Sequence, residues 1–361
     1  MINRRVLCLC LAVLAVAGCQ SIGPGNVTRD RFDYTAAVAD SWKSQMLLNL
    51  VKIRYGDAPV FLDIGQIVAG YSFSRKLGAT AGASVFDGGA TSNIGTFGLS
   101  GEGSYNDSPT VTYAPLTGER FARQLMMPIP PTAIMTVTQA GFPVERVFRL
   151  AVQSINGVDN RRVKDVNVQP ADPEFYALLQ NLRRIQDSGD IGMRLRPGDR
   201  EVLLEMVVRS KPPAAIENAR LNVARILGLN PSVRVFRLVY GTVPGDDKEI
   251  AILTRSIYEI LRDLSASITV PETDVTERRV SPTPEADLGP DGPIPPLIRI
   301  ASSPARPDNA FVAVPYRGYW YSIDDRDMRS KDLFSFIMYL FTFVETGGKE
   351  AAPVLTIPTT R

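Results

Sequence analysis

The sequence predicts an α+β fold, or an α/β fold, in which a body of mixed helices and sheet carries one long Gly/Ala-rich β-hairpin. Two observations lead to this prediction. Segments with apolar residues at helical spacing alternate with short strand-like segments, and no repeat is visible along the chain. Between residues 67 and 113, apolar and polar residues alternate over a length far beyond the ordinary strand of about 5–6 residues.

The first residues have the pattern of a signal peptide that ends at a cysteine. Arg4 and Arg5 form a basic start, and the apolar run over residues 6–17 leads to Gly18 and Cys19. This run is shorter than the ~20 residues that a helix needs to cross a bilayer. A basic start, an apolar core and small residues before a cleavage point are typical of a secretory signal. We therefore expect residues 1–18 to be a removable signal peptide.

The end of this segment, Val16-Ala17-Gly18-Cys19, resembles the lipobox of bacterial lipoproteins, with valine where leucine is usual. The resemblance implies that Cys19 is lipidated, with a diacylglyceryl group on its sulfur and an acyl chain such as palmitate on its new amino end. Two or three acyl chains give stable membrane attachment. Gln20 replaces the aspartate that favours inner-membrane retention, which implies an outer-membrane lipoprotein facing the periplasm. The alternative interpretation is an ordinary cleaved signal peptide.

The composition excludes several kinds of chemistry. The chain has no histidine, and its other cysteines, Cys8 and Cys10, lie in the signal peptide. A Ser-His-Asp triad, a cysteine nucleophile and an ordinary zinc site are therefore excluded. Carboxylate catalysis, an oxygen-ligand metal and a Ser-Lys pair remain open, but we expect no enzyme activity, no cofactor and no metal. Because Arg4 and Arg5 account for the net charge of +2, we expect no nucleic-acid partner either.

Residues 19–32, which include Gly23-Pro24-Gly25, are predicted to be a lipidated, flexible tether, and residues 33–270 to form the helix and strand body. The body begins with a predicted helix over residues 33–55, where apolar side chains recur at helical spacing and Gly56 provides a stop. The long hairpin at 67–113 follows, with a turn cluster at residues 87–93.

The hairpin has two competing interpretations. In the first, each subunit contributes its hairpin to a shared transmembrane β-barrel, which requires a homo-oligomer because two strands leave open edges in lipid. In the second, the hairpin is an arm packed on its own domain or on a partner in the periplasm. Arg75 interrupts the apolar face and would cost ~2–4 kcal/mol at a bilayer midplane, which favours the second interpretation.

The remaining elements are predicted from helical spacing, capping patterns and strand-like runs. Asp246-x-x-Glu249 resembles a capping box at the start of a helix. Residues 271–297 contain many prolines and several acids, which predicts a linker or long loop whose charges need no partner; residues 298–361 form a C-terminal strand and helix segment. The predicted helices cover residues 119–127, 132–140, 144–154, a segment from 172, 213–228, 246–264 and 333–344; the predicted strands cover 201–208, 233–240, 298–300, 311–314 and 319–323.

Three clusters are candidate sites, and each also has a plain structural interpretation. An acidic run could hold calcium but is explained more simply as a turn before a helix capped by Ser330. An aromatic run could stack on carbohydrate but more often marks a strand alternating between core and rim. Four arginines could contact anionic headgroups or form a solvated face. The clusters are Asp324, Asp325 and Asp327; Tyr316, Tyr319, Trp320 and Tyr321; and Arg183, Arg184, Arg194 and Arg196.

Several phrases resemble a family of proteobacterial lipoproteins to which no activity is attached. They are Asp40-Ser41-Trp42, Gln45-Met46-Leu47-Leu48-Asn49, Asp57-Ala58-Pro59-Val60-Phe61-Leu62, Pro115-Leu116-Thr117-Gly118-Glu119 and the run from Tyr316 to Asp325. The sequence thus predicts a non-enzymatic outer-membrane lipoprotein that acts as a homo-oligomeric pore or as a structural component of an envelope transport or assembly complex. The alternative is a monomeric periplasmic binding or scaffold lipoprotein with the hairpin as a docking arm. A carboxylate-using glycan hydrolase is a third, weaker option.

Overall fold

The computed structural model describes residues 24–68, 71–82, 96–107, 110–164, 167–197, 202–208 and 212–345. The predicted signal peptide, Cys19 and the hairpin turn at 87–93 lie outside the described residues, as do residues 346–361. The described chain has the predicted α+β fold. It divides into two compact units, of which one is Val60–Leu116 and the other contains the described residues before and after it.

The smaller unit is the predicted hairpin. Strand β1 (Leu62–Val68) pairs antiparallel with β4 (Thr110–Pro115), and β2 (Tyr71–Gly82) pairs antiparallel with β3 (Thr96–Asp107) over all twelve positions. Three apolar positions of β2 fall opposite apolar positions of β3, in the pairs Phe73 with Tyr105, Ala79 with Leu99 and Ala81 with Phe97, whereas Leu77 is opposite Gly101. The prediction of antiparallel pairing along this segment is therefore confirmed in two described two-stranded ladders, and the pairing begins before residue 67 and ends after residue 113.

Helix α1 (Pro24–Arg54) begins before the predicted start at residue 33. Residues 24–32, expected to be flexible, are therefore helical. At ~1.5 Å per residue the 31-residue helix spans about 46 Å. Its C-terminal part is buried through Met46, Leu47, Leu50 and Val51, whereas residues 31–33 and 35–37 are exposed.

Four helices and a six-stranded sheet form the centre of the larger unit. The sheet order is β6-β5-β12-β11-β10-β9, in which only the β11–β12 pair is parallel. The helices are α3 (Pro131–Gln139), α4 (Val144–Ala151), α5 (Pro173–Ser188) and α6 (Ala214–Leu227), after the short α2 (Glu119–Met126). The strands are β5 (Val152–Ile155), β6 (Val158–Asp159), β9 (Ile191–Pro197), β10 (Val202–Val208), β11 (Val235–Tyr240) and β12 (Glu249–Thr254), while β7 (Arg162–Lys164) pairs with β8 (Asn167–Gln169) outside this sheet.

Two helix predictions in this region are confirmed only in part. The predicted helix at 144–154 ends at Ala151, where the chain continues directly into β5. The predicted helix at 246–264 is instead strand β12 followed by helix α7 (Ile257–Ala266). The capping box exists, but it is formed by Ser256 and Glu259. The carboxylate of Asp246 instead accepts a bond from the backbone N–H of Lys248 at 2.8 Å, in a loop before the strand.

The C-terminal part belongs to the same unit as the central sheet. It contains α8 (Glu272–Thr276), the short pair β13 (Leu288–Gly289) and β14 (Gly292–Pro293), a sheet of order β15-β17-β16, and helix α9 (Met328–Glu345). The sheet strands are β15 (Ala301–Ser303), β16 (Ala310–Tyr316) and β17 (Tyr319–Asp324). The predicted strand at 298–300 is not one, because the strand begins at Ala301.

The turn of the C-terminal hairpin has the backbone conformation of a tight hairpin. Arg317 and Gly318 join β16 to β17 with φ of 47° and 85°, the positive values that a tight type I′ hairpin turn requires.

Residues 271–297 were expected to carry charges without partners. Instead, Asp274 and Asp287 are buried and accept hydrogen bonds from Tyr55 and Tyr176, each at 2.6 Å.

Helix α9 covers the apolar run that was expected to be a buried or interface helix. Leu333, Phe334 and Ile337 are buried, whereas Tyr339 is 68% exposed. Across the described ranges, none of the helices combines the length and the apolarity required to cross a bilayer.

Candidate functional site

A cavity of about 430 Å³ lies between the six-stranded sheet and helices α3 to α6. Its floor consists of alternate sheet positions, such as Leu204 and Met206 of β10 and Ile250 and Ile252 of β12. Alternate residues of a strand point to the same face, so the period of two in these strands directs their apolar side chains into the cavity. The volume is in the range of about 300–1,000 Å³ that is typical of small-molecule sites.

Helix α6 provides one wall of the cavity. Arg220, Val223, Ala224 and Leu227 line it, and their spacing of three and four residues places them along one side of a helix. Pro213 precedes this helix, and Gly228 ends it in the left-handed conformation at φ of 66°. Local sequence signals therefore fix both ends of the element that carries this wall.

The polar side chains at the cavity are already bonded to protein groups. Gln186 accepts from the Val144 N–H at 2.9 Å and donates to the Phe142 carbonyl at 2.9 Å. The guanidinium of Arg220 pairs with Glu217 at 2.6 Å and also donates to a backbone carbonyl. The rest of the wall is mainly carbon, because methionine, valine, leucine, isoleucine and phenylalanine supply most of it. This chemistry suits an apolar ligand, because burial contributes ~25 cal/mol per Å² of apolar surface.

The acidic run lies at a turn, as its plain interpretation predicted. Asp324 accepts the Arg326 N–H at 2.8 Å, and Asp325 pairs with Lys331 at 2.6 Å. Asp327 accepts bonds from the N–H and the hydroxyl of Ser330 at 3.1 and 2.8 Å, so the expected cap at Ser330 is wrong and the capping side chain is Asp327. Among the described residues, no group of three or more potential ligands is placed to hold a metal ion.

The aromatic run lies on strands β16 and β17, as predicted, but burial along β17 does not alternate: Tyr319 and Trp320 are both of intermediate exposure, and the next three residues are buried. Tyr321 is fully buried, whereas Tyr316, Tyr319 and Trp320 have intermediate exposure. The run therefore fills a core position and three rim positions rather than one flat exposed platform.

A buried tyrosine network connects this strand to helix α1 and to α8. The hydroxyls of Tyr55 and Tyr321 lie 2.6 Å apart, and Tyr55 donates to Asp274 at 2.6 Å. Burial, and then these hydrogen bonds, raise the pKa of Tyr55 far above its usual value, and burial raises the pKa of Tyr321. Nearby, Tyr316 donates a hydrogen bond to Asp57. The network stabilises the fold, and sequence reasoning missed it because its members are far apart in the chain.

Three of the four arginines form local surface ion pairs. Arg183 forms an ion pair at 2.8 Å with an aspartate one helical turn away, and Arg184 is exposed. Arg194 and Arg196 lie 3.9 and 3.5 Å from Glu205 on the neighbouring strand. These contacts agree with the interpretation of a solvated face.

The cavity was not identified from the sequence, although its residues have recognisable periodicity. Its walls come from positions between Met135 and Ile252, and the sequence alone does not indicate which faces of α3 to α6 and of the sheet meet. No protein-family model, curated protein or solved structure matches the chain.

Proposed function

We propose that this protein is a non-enzymatic, lipid-anchored outer-membrane protein whose periplasmic body binds an apolar ligand in the cavity beneath α3 to α6. The observation that carries the proposal is the cavity of about 430 Å³ with a mainly carbon wall. The ligand class is an aliphatic chain, such as the acyl chain of a lipid. The lipobox resemblance at Cys19 supports the location, because an anchored body is held next to a source of such chains.

Filling the cavity is expected to weaken this binding. Ala224 is only 7% exposed and lies on the α6 wall, so Ala224→Phe places a ring in the space that an acyl chain would occupy. A titration with a fluorescent fatty acid should show affinity at least ~10-fold lower, a difference of about 1.4 kcal/mol. Leu221→Phe is the matched control, because Leu221 is on the same helix but is 41% exposed and does not line the cavity.

Circular dichroism of both α6 variants checks that the fold is retained. The proposal fails if the unmodified protein does not bind the fatty acid, or if Ala224→Phe and Leu221→Phe bind it equally well.

A second candidate function has support from the hairpin. In this candidate, the protein is a homo-oligomeric pore or a structural component of an envelope transport or assembly complex. The supporting observation is the unbroken pairing of β2 with β3 over twelve positions, because about 9–11 residues per strand are enough to cross a bilayer. Two strands leave open edges, so insertion requires further copies. If the hairpin stays outside the membrane, it is a docking arm for another envelope protein.

Measurement of size in detergent separates the pore from the docking arm. If the protein forms a pore, we expect a large, heat-resistant oligomer that remains in the membrane when Cys19→Ser removes the lipid. Ala79→Arg should dissociate it, because Ala79 is at an apolar position of β2 and arginine facing lipid costs ~2–4 kcal/mol. Thr80→Arg, at the adjacent polar position, is the control. A monomer that Cys19→Ser releases into buffer would exclude the pore and leave the docking arm.

A further inference from the structure

A second cavity, of different chemistry, lies between β7 and helix α7. It has a volume of about 270 Å³, and we call it the basic cleft. Four basic residues and two acidic residues contribute to its wall: Arg162, Lys164, Arg255, Arg262, Glu259 and Asp263. The apolar-ligand proposal uses none of these residues.

Both acidic residues are already engaged by protein groups. Glu259 accepts bonds from the backbone N–H and the hydroxyl of Ser256 at 2.8 and 3.1 Å, which forms the capping box of α7. Asp263 lies 3.3 Å from the guanidinium of Arg255 and 3.9 Å from that of Arg161. The single carboxylate of Asp263 thus faces two guanidinium groups, and its negative charge is more than balanced.

The basic residues divide into a fixed and an accessible group. Arg255 is only 3% exposed, and its guanidinium donates to the backbone carbonyls of Arg149 and Leu150 at 3.1 and 3.3 Å. Its role at the cleft is therefore a fixed positive charge. Lys164 is exposed and has no ion pair within the described part of the chain, so its ammonium is available to a ligand.

Arg162 is the second accessible basic residue. Its Nε donates to Gln169 at 2.9 Å, which orients the guanidinium across the β7–β8 pair, and its ion pair with Asp159 is long at 3.7 Å. The cleft therefore combines an excess of positive charge with donors on a fixed framework. Guanidinium and ammonium groups both bind phosphate oxygens, the guanidinium through paired donors and the ammonium as a point charge.

We propose that the basic cleft binds a phosphate-class anion, a tetrahedral oxyanion that is either free phosphate or the phosphate of a lipid headgroup. The excess positive charge at the wall supplies the attraction, and Lys164 and Arg162 supply the donors. This site is independent of the apolar cavity, so either proposal can hold without the other.

The test uses the full chain with Cys19→Ser, so that no acyl anchor interferes with the measurement of vesicle binding. Calorimetric titration with inorganic phosphate is compared with binding to phosphatidylglycerol vesicles and to phosphatidylcholine vesicles. The double variant Arg162→Gln, Lys164→Gln should lower the affinity for the anion at least ~10-fold. Lys248→Gln, at an exposed lysine on the loop before β12, should bind as the unmodified chain does.

The phosphate titration and the vesicle-binding measurement together distinguish the source of the phosphate group. Binding of inorganic phosphate that the double variant loses assigns the site to a free anion. Binding only to phosphatidylglycerol vesicles, lost in the same variant and inhibited by salt, assigns it to a headgroup. The proposal is overturned if neither probe binds, or if the double variant and Lys248→Gln bind equally. Ala224→Phe should not change phosphate binding, which separates this result from that of the apolar cavity.

Discussion

Replacement of Arg255 by methionine is expected to destabilise the protein by about 3–5 kcal/mol, the typical cost of removing one partner of a buried ion pair. Arg255 is 3% exposed and pairs with Asp263 at 3.3 Å. Its guanidinium also donates to the carbonyls of Arg149, Leu150 and Arg161. Methionine has a similar length but no donor, so the carboxylate and three carbonyls lose a partner. The midpoint of urea-induced unfolding measures the loss.

Two variants show whether the buried charge is the cause. Asp263→Leu in the Arg255→Met background should recover part of the stability, because it removes a buried carboxylate whose remaining partner, Arg161, is 3.9 Å away. Arg183→Met removes a surface pair in which the arginine side chain is 37% exposed, and it should cost no more than ~1 kcal/mol. If Arg255→Met and Arg183→Met unfold at the same urea concentration, the proposed role of Arg255 is wrong.

The sequence predicted best the elements that local residues determine. Helix α5 begins at Pro173, after the predicted start at Asp172, and α6 ends at Gly228 as predicted. The hairpin was also predictable, because polar and apolar residues that alternate over a long stretch are typical of a strand with two different faces. In these cases the proline, the glycine or the period of two acts through neighbouring residues alone.

Elements that depend on distant partners were predicted poorly. The pattern Asp246-x-x-Glu249 matches a capping box as well as Ser256-x-x-Glu259 does, and only the second forms one. The difference comes from pairing, because β12 lies between β5 and β11, where Ala251 and Ile252 are fully buried. In that position the backbone N–H and C=O groups of an apolar run form their hydrogen bonds with the neighbouring strands rather than within a helix.

The same limit applies to the sites and to the proline-rich segment. The prolines of residues 271–297 indicated a linker, but its buried aspartates bond to tyrosines far away in the chain, with Tyr55 and Asp274 separated by 219 positions. The residues of the apolar cavity and of the basic cleft have ordinary local patterns. Their function as walls depends on which helix faces meet the sheet, and the sequence alone does not determine that.

The second large effect is expected at high pH. The free energy of unfolding should fall as the pH rises above the ordinary tyrosine pKa of ~10, and Tyr55→Phe should reduce that fall. Burial, followed by hydrogen bonds with Asp274 and Tyr321, raises the pKa of Tyr55 in the folded protein. The folded state therefore keeps a proton that the unfolded state loses. This stabilisation is fully present below pH ~10 and is lost as the pH rises further.

Tyr240→Phe is the matched control, because Tyr240 is 55% exposed and its loss should leave the pH dependence unchanged. Urea unfolding from neutral to alkaline pH gives the slope, and phenolate absorbance reports when the buried tyrosines ionise. Tyr55→Phe should also lower stability at neutral pH by about 1–3 kcal/mol, because Asp274 and Tyr321 lose a buried hydrogen-bond partner. Some alkaline sensitivity should remain, since burial also raises the pKa of Tyr176. Equal slopes for Tyr55→Phe and the unmodified protein would show that the network does not keep Tyr55 protonated.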